Sequence, residues 1–294
     1  MNIMGHKKIW FGISLAIIIP GVISMILWGL RLGIDFTGGS VIEVQGTQND
    51  QKVIEIVKKD GVQDPVTQKL GGDSLSIRSK QISEDLHRKV VKDLQNQLHV
   101  KETSFETVGP TVSADITFKA FELIAAASVL IVLFLAYSFR KVPKPVSSWQ
   151  FGVCAIIALL HDVLVMLGVF SILGHFLNIE IDSMFVVAAL TVIGFSVHDT
   201  IVVFDRIREN LIRRGSSNFE ELANQSVLET FSRSLNTSFL TFLVLLTLYL
   251  LGGQSTKIFV LALLVGIATG TYSSIFNASP MLVVWQNFKN KRAK

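Results

Sequence analysis

Six blocks of the chain are apolar over lengths that cross a membrane: residues 9–30, 118–137, 149–173, 184–204, 235–251 and 258–285. A hydrocarbon core of about 30 Å takes roughly 20 apolar residues as a helix, so these blocks decide the fold class. Composition alone would not have shown it. The chain has 294 residues and is 50% hydrophobic, close to the soluble norm of about 45 to 50%; the information lies in the clustering. The first block outruns the roughly 7 to 15 residues of a secretory h-region, and GLRLGIDF after it offers no small-x-small cleavage site, so it reads as an uncleaved span.

The lone cysteine, Cys154, lies inside the third block, which excludes an intrachain disulfide and leaves topology to the basic residues. Lys7 and Lys8 precede the first block. Arg140, Lys141 and Lys144 separate the second and third, and Arg206, Arg208, Arg213 and Arg214 follow the fourth. Lys289, Lys291, Arg292 and Lys294 close the chain. The opposite loops hold Lys257 in GGQSTK and no Lys or Arg in GHFLNIEID. The positive-inside rule then puts both termini in the cytoplasm, and the net charge of +4 reflects orientation rather than a nucleic-acid partner.

The expected layout is an N-terminus and first span (1–31), an extracytoplasmic domain (32–115), a five-helix membrane domain (116–288) with a cytoplasmic connector (206–233), and a basic tail (289–294). Within 32–115, SVIEVQ (40–45) alternates as a strand. DQKVIEIVKKDG (50–61) has helical spacing with an Asp start and a Gly stop. PVTQKL and SLSIRS are strand-like and joined by GGD, which suits a hairpin. SEDLHRKVVKDLQNQL (83–98) sets Leu86, Val90, Leu94 and Leu98 on one helical face, and KETSFETV (101–108) closes the order βαββαβ. That order is the ferredoxin-like α+β arrangement, expected to fold as a soluble fragment. The connector carries an amphipathic helix, NFEELANQSVLETF.

Chemistry concentrates in the membrane blocks. Asp199 sits seven residues before Arg206, roughly 10 Å inside the boundary at 1.5 Å per residue. A charged side chain at the centre of a spanning helix costs roughly 2.5 to 3.5 kcal/mol, so something must offset it. Its helical face holds Ala188, Val192, Ser196 and Val203, small enough to pack closely on another helix. Two roles fit: a titrating group on an ion path, or a protonated interhelical glue. His161 and Asp162 in the third block either bond a neighbouring helix or join a relay, and His198 is equally open. Adjacent residues diverge by about 100°, and neither His-Asp pair has the i, i+4 spacing of a zinc helix, so no metal is expected. Arg233 opens the fifth span, with Thr237 and Thr241 continuing its face; an isolated Arg there would snorkel to water. Asp205, Arg206, Arg208 and Glu209 read as a solvated cytoplasmic rim. The small-residue faces of the fourth block and of the sixth, with GIATGTYSSIFNAS and its Gly266 and Gly270, read as open to a partner subunit. No nucleophile–base constellation, phosphate loop or cofactor fingerprint is present in the sequence, so no enzymatic activity and no cofactor are expected, and energy must come from an ion gradient or a partner.

Five stretches together carry a family resemblance: GIDFTGG with Asp35, Gly38 and Gly39; VGPTVSADI with Gly109 and Pro110; LLHDVLVMLGVFSILG; VIGFSVHDTIVVFDRIREN, which includes Asp205 and Arg206; and SRSLNTS. The chain resembles the SecF family of bacterial SecD–SecF protein-export complexes, within the RND superfamily. The resemblance implies six helices forming an RND-type half, pseudo-symmetric to six in a SecD subunit. It also implies a role late in export, where the proton motive force helps draw a preprotein out of the Sec translocon channel across the cytoplasmic membrane. By motif, the family's intramembrane proton-path Asp falls on Asp199 and its essential Arg on Arg233, with His161, Asp162, Ser196, His198 and Thr237 as possible supporting residues. His198 stands where the family often has Asn. A small-molecule or lipid exporter of the same superfamily and a purely structural translocon accessory are the competing readings.

Overall fold

A computed structural model describes residues 2–47, 49–140, 142–143, 146–215, 218–253 and 256–292. Lys141, Lys144 and Lys294, used above to orient the chain, and Gln254 and Ser255 of the GGQSTK loop lie outside the described residues. The chain divides into two compact units: Met1–Leu30, Leu123–Ile179 and Met184–Lys294 form a helix unit, and Arg31–Glu122 with Glu180–Ser183 forms a sheet unit.

The helix unit is built from α1 (Lys7–Trp28), most of α5 (Pro110–Ser138), α6 (Ser148–Leu177), α7 (Ser183–Arg214), α8 (Phe219–Leu251), α9 (Lys257–Ser273) and α10 (Ser279–Arg292). A π turn, Ser274–Ala278, joins α9 to α10 without a break, so the described residues contain six helices long and apolar enough to cross a membrane. Half or more of the most apolar stretch is buried in α6 (50%), α7 (50%) and α9–α10 (61%), against 6% in α5 and 11% in α8. The third, fourth and sixth spans therefore form the centre, and the second and fifth present apolar side chains outward. Phe139, Phe151 and Phe204 interlock at one end of that core, with ring centroids 5.0 to 5.8 Å apart. The chain start docks beside them, where Asn224 Oδ1 accepts the backbone N–H of Ile3 at 2.8 Å.

The connector expected over 206–233 is helical at both ends. α7 runs through Arg214, and the amphipathic NFEELANQSVLETF segment supplies the first turns of α8. Asn218 starts that helix by accepting the N–H of Glu221 at 3.3 Å, which satisfies one of the donors a helix start leaves open.

The sheet unit holds a single helical turn, α2 (Ile34–Thr37), then β1 (Gly39–Gln45), α3 (Asp50–Lys59), β2 (Val66–Gly71), β3 (Ser74–Ser79), α4 (Glu84–Leu98) and β4 (Lys101–Val108). The strand order β2-β3-β1-β4 is antiparallel throughout, so the expected ferredoxin-like topology is present. Ile42 and Val44 of β1 and Leu75 and Ile77 of β3 point to the same face. Val53 and Val57 of α3 and Val90 and Leu94 of α4 close over them in one apolar core. The first helix is capped by Asn49, one residue before the expected Asp start, and α4 by Ser83.

A short strap, Glu180–Ser183, links α6 to α7 yet belongs to the sheet unit, and no local pattern marks it. Its backbone pairs with the segment after α1: Gly33 N–H donates to Ile181 O at 2.8 Å, and Ile181 N–H to Arg31 O at 2.9 Å. Glu180 receives both Arg31, at 3.2 Å, and Arg78 of β3.

Candidate functional site

On α7, Ala188, Val192, Ser196, Asp199 and Val203 form one buried stripe, as their spacing required. What covers it is this chain's own α9. A Cβ added at Gly266 would lie 2.1 Å from Val192 Cγ2, and one at Gly270 would lie 3.1 Å from Ser196 Cβ. The small-residue faces of the fourth and sixth spans are thus paired with each other, which corrects the expectation that they stand open for a partner. A small stripe shows close helix packing but does not say which helix supplies the other side.

Asp199 is 7% exposed. Ser234 of α8 and Ser274 of the π turn lie against its carboxylate, and Asp162 is near enough for the two charges to interact. Asp199 Oδ2 and Ser234 Oγ are buried without a hydrogen-bond partner among the described residues. Asp162 is fully buried and, by contrast, saturated. Its Oδ1 accepts from His161 Nδ1 at 2.9 Å, and its Oδ2 accepts from Ser196 of α7 and from Ser273 of α9 at 2.7 Å. The two adjacent Cβ directions diverge, but the side-chain torsions of His161 and Asp162 fold ring and carboxylate together. His161 Nε2 remains without a partner.

The π turn explains how one short segment serves both carboxylates. It departs from regular α-helical spacing, a local change frequent at functional sites. Here Ser273 reaches Asp162, while Ser274 lies against Asp199 and hydrogen-bonds Thr200 at 2.8 Å. Arg233 and Thr237 did not join the cluster; their side chains are exposed on the outward face of α8. His198 is exposed on α7, yet it is near enough to Asp199 for the two to interact electrostatically. For Ser273, Ser274 and Asn277 the available signal was the polar run TYSSIFNAS inside an apolar block, and for Ser234 it was the polar run SRSLNTS that opens the fifth span.

The other family-motif residues have local structural tasks. Asp35 Oδ2 accepts the N–H of Ser183, the first residue of α7, at 2.9 Å. Gly38 and Gly39 have φ of +70° and +126°, conformations that L side chains avoid. Gly38 lies against the start of α5, within 3.7 Å of Pro110 by the same added-Cβ measure. There Gly109 O accepts Ser113 N–H at 3.0 Å, and proline is suited to the first helical position.

Asp205 pairs with Arg208 at 2.7 Å. Arg206 binds Glu209 and reaches across to Glu229 of α8, which also accepts from buried Asn210 at 2.9 Å. The expected rim is solvent-exposed, and in addition it clamps α7 to α8.

Residues 87–288 match the family of protein export membrane proteins SecD/SecF, C-terminal region, and residues 27–50 match the SecD/SecF GG motif. The chain is 45% identical to the protein translocase subunit SecF of Thermobaculum terrenum and 40% identical to that of Anaerolinea thermophila, in each case over 98% of this chain and 94% of the relative. It superposes on the crystal structure of SecDF, a translocon-associated membrane protein from Thermus thermophilus, with a TM-score of 0.86 and 30% identity. A super-membrane-facing form of SecDF gives 0.69 and 28%. The chain covers 98% of itself but 39% of the first of these longer chains. It therefore belongs to the SecD/SecF family of protein-export membrane proteins, as a multi-pass member.

Proposed function

We propose that this chain is the SecF-type subunit of a protein-export translocase, which joins a SecD subunit beside the Sec translocon channel. There it uses the proton motive force to promote a late step of preprotein translocation. In this reading it lies in the bacterial cytoplasmic membrane with both termini in the cytoplasm and residues 32–115 outside. The outward apolar faces of α5 and α8 meet lipid or the SecD half. The protein works by conformational change and catalyses no covalent reaction.

The observation that carries this reading is Asp199, a carboxylate deep in a spanning helix with one oxygen buried and unpartnered. Intramembrane carboxylates of this kind mark proton relays, and a glue residue would be expected to use both oxygens. One proton crossing 100 mV releases about 2.3 kcal/mol, enough to bias two poses of a helix. Asp199 rides on α7, which continues in sequence from the strap Glu180–Ser183. Arg233 follows as the counter-charge: it neighbours Ser234, which already touches Asp199, and a rotation of α8 carries it toward the carboxylate.

The test is export of a secreted reporter in cells carrying Asp199→Asn or Arg233→Met, with and without an uncoupler. Both variants should insert and co-purify with SecD yet lose the uncoupler-sensitive part of export. Full gradient-dependent export by Asp199→Asn would return Asp199 to the role of interhelical glue.

A further inference from the structure

Asp162 is the most completely buried carboxylate of the helix unit, and the reading above gives it no task. It is 0% exposed and bonded by three donors from α6, α7 and α9. An ionised carboxylate can only accept hydrogen bonds, whereas the protonated acid gains one O–H donor and keeps the rest of its acceptor capacity. The shell around Asp162 serves both forms, because hydroxyls rotate: Ser196 and Ser273 can donate to a charged Oδ2 or turn to accept from a protonated one. Ser273 has a ready alternative acceptor, Gly270 O at 3.1 Å.

The two carboxylates are also wired to each other. Ser196, which donates to Asp162, precedes Asp199 by one turn on the same face of α7. Ser273 and Ser274 are consecutive, and each serves a different carboxylate. Each acid is further accompanied by an unpartnered polar atom in a residue more than nine-tenths buried: His161 Nε2 beside Asp162, and Asp199 Oδ2 itself.

We propose that Asp162 is a second proton-holding group of the transport cycle, and that Asp162 and Asp199 titrate as one coupled pair linked through Ser196 and the Ser273–Ser274 step. The proposal rests on the proton-driven reading of Asp199 and adds the second site. The charge of Asp162 acts on Asp199, and Ser196 and the Ser273–Ser274 step join their hydrogen-bond shells; protons shared between acids linked in this way belong to the pair. Protonation changes which hydroxyls donate and which accept, so each loading step re-sorts the contacts that hold α6, α7 and α9 together. Among the described residues, the other titratable groups at the pair are His161 on α6, His198 on α7 with its side chain turned outward, and Tyr272 on α9, whose ring centroid is 6.3 Å from that of His161. From α1 and α8 the neighbouring groups are hydroxyls, Ser14 and Ser234, while Arg233 faces away.

The test is the pH profile of gradient-driven export in inverted membrane vesicles containing the full complex, for wild type, Asp162→Asn, Asp162→Glu and Asp199→Asn. The wild-type profile should be broadened over two steps separated by about one pH unit or more. Asp162→Asn should narrow it to a single step, and Asp162→Glu should restore the breadth. An Asp162→Asn profile of wild-type shape, with Asp199→Asn inactive, overturns the coupled pair and leaves the proton-driven reading standing; an active Asp199→Asn overturns both. If Asp162→Asn does not accumulate in the membrane, Ser196→Ala and Ser273→Ala carry the test. Each removes one donor while keeping the carboxylate, so each should displace the profile, and an unchanged profile in both rejects the proposal.

Discussion

The carboxylate of Asp35 accepts the backbone N–H of Ser183 at 2.9 Å, so the motif that follows the first span closes the first turn of the helix that carries Asp199. A helix start leaves four N–H groups without partners, and an anion placed there also meets the positive end of the helix dipole. Asp35 supplies both acceptor and charge from a segment about 150 residues away in sequence.

Replacing Asp35 by Ala should therefore loosen the start of α7 by about 1 kcal/mol, the usual cost of a lost cap. Asp35→Asn keeps an acceptor and loses only the charge, worth about 0.3 to 1 kcal/mol. Hydrogen exchange of the Ser183 amide and the next turn reads this directly, with about a five-fold loss of protection expected in Asp35→Ala. Equal protection in wild type and Asp35→Ala would show that the contact does not hold the helix start.

The paired glycines of the same motif should differ in their tolerance. Gly38 has φ +70° and ψ 167°, a conformation that costs other residues about 1 to 3 kcal/mol. Gly39 adds a collision, because a Cβ there would sit 2.6 Å from the backbone oxygen of Ser79, which cannot rotate away. Gly39→Ala should thus reduce exchange protection in β1 and β3 more than Gly38→Ala. Gly12→Ala in α1, where nothing lies within 4 Å of the added carbon, should leave it unchanged. Reversal of that order would contradict the geometry.

The legible parts of this fold are those set by short-range pattern. Alternation placed β1, β3 and β4, and helical spacing placed α4, with Val90 and Leu94 buried as expected. Asp199 was legible for a different reason, since a carboxylate in an apolar block stands out against its cost. Partners are set by tertiary packing, and there the sequence was silent. Nothing local tells that Gly266 faces Val192, that Ser273 rather than Ser279 bonds Asp162, or that Arg206 crosses to Glu229. The strap at Glu180 escaped notice because its one isolated bridge, Leu32 to Ile181, pairs residues too few for a strand pattern.

Glu43, in the middle of β1, should make the sheet unit sensitive to pH. Burial pushes its carboxyl above the usual range, and the nearby charge of Glu106 on β4 adds to this. A carboxyl that holds its proton more tightly when folded stabilises the fold while protonated. That contribution is complete below the unfolded value and is lost as pH rises through the folded one. Glu43→Gln should then increase amide protection in β1 and β4 at neutral pH, compared with wild type at the same pH, and should reduce the difference between acidic and neutral conditions. Unchanged neutral protection in Glu43→Gln would remove Glu43 as a source of pH dependence.

The contact between α9 and α7 gives a test of internal packing that is independent of function. Gly266→Ala must displace Val192, because the new carbon would lie 2.1 Å from Val192 Cγ2; overpacking of this kind costs about 1 to 3 kcal/mol. Gly270→Ala meets Ser196 at 3.1 Å and should cost less. Shortening Val192 to Ala removes the two closest atoms, Cγ2 at 2.1 Å and Cγ1 at 2.5 Å, and leaves only its Cβ, at 2.8 Å, to shift, so Gly266→Ala combined with Val192→Ala should be more stable than the two separate losses predict, by a coupling of about 0.5 to 3 kcal/mol. Cys154 is the lone cysteine of the chain and is fully buried in the helix unit, so a thiol-reactive dye that labels it on unfolding reports the melting of each variant in detergent. Simple additivity of the two substitutions would mean that Val192 and Gly266 do not meet, and the packing of the fourth span on the sixth would have to be redrawn.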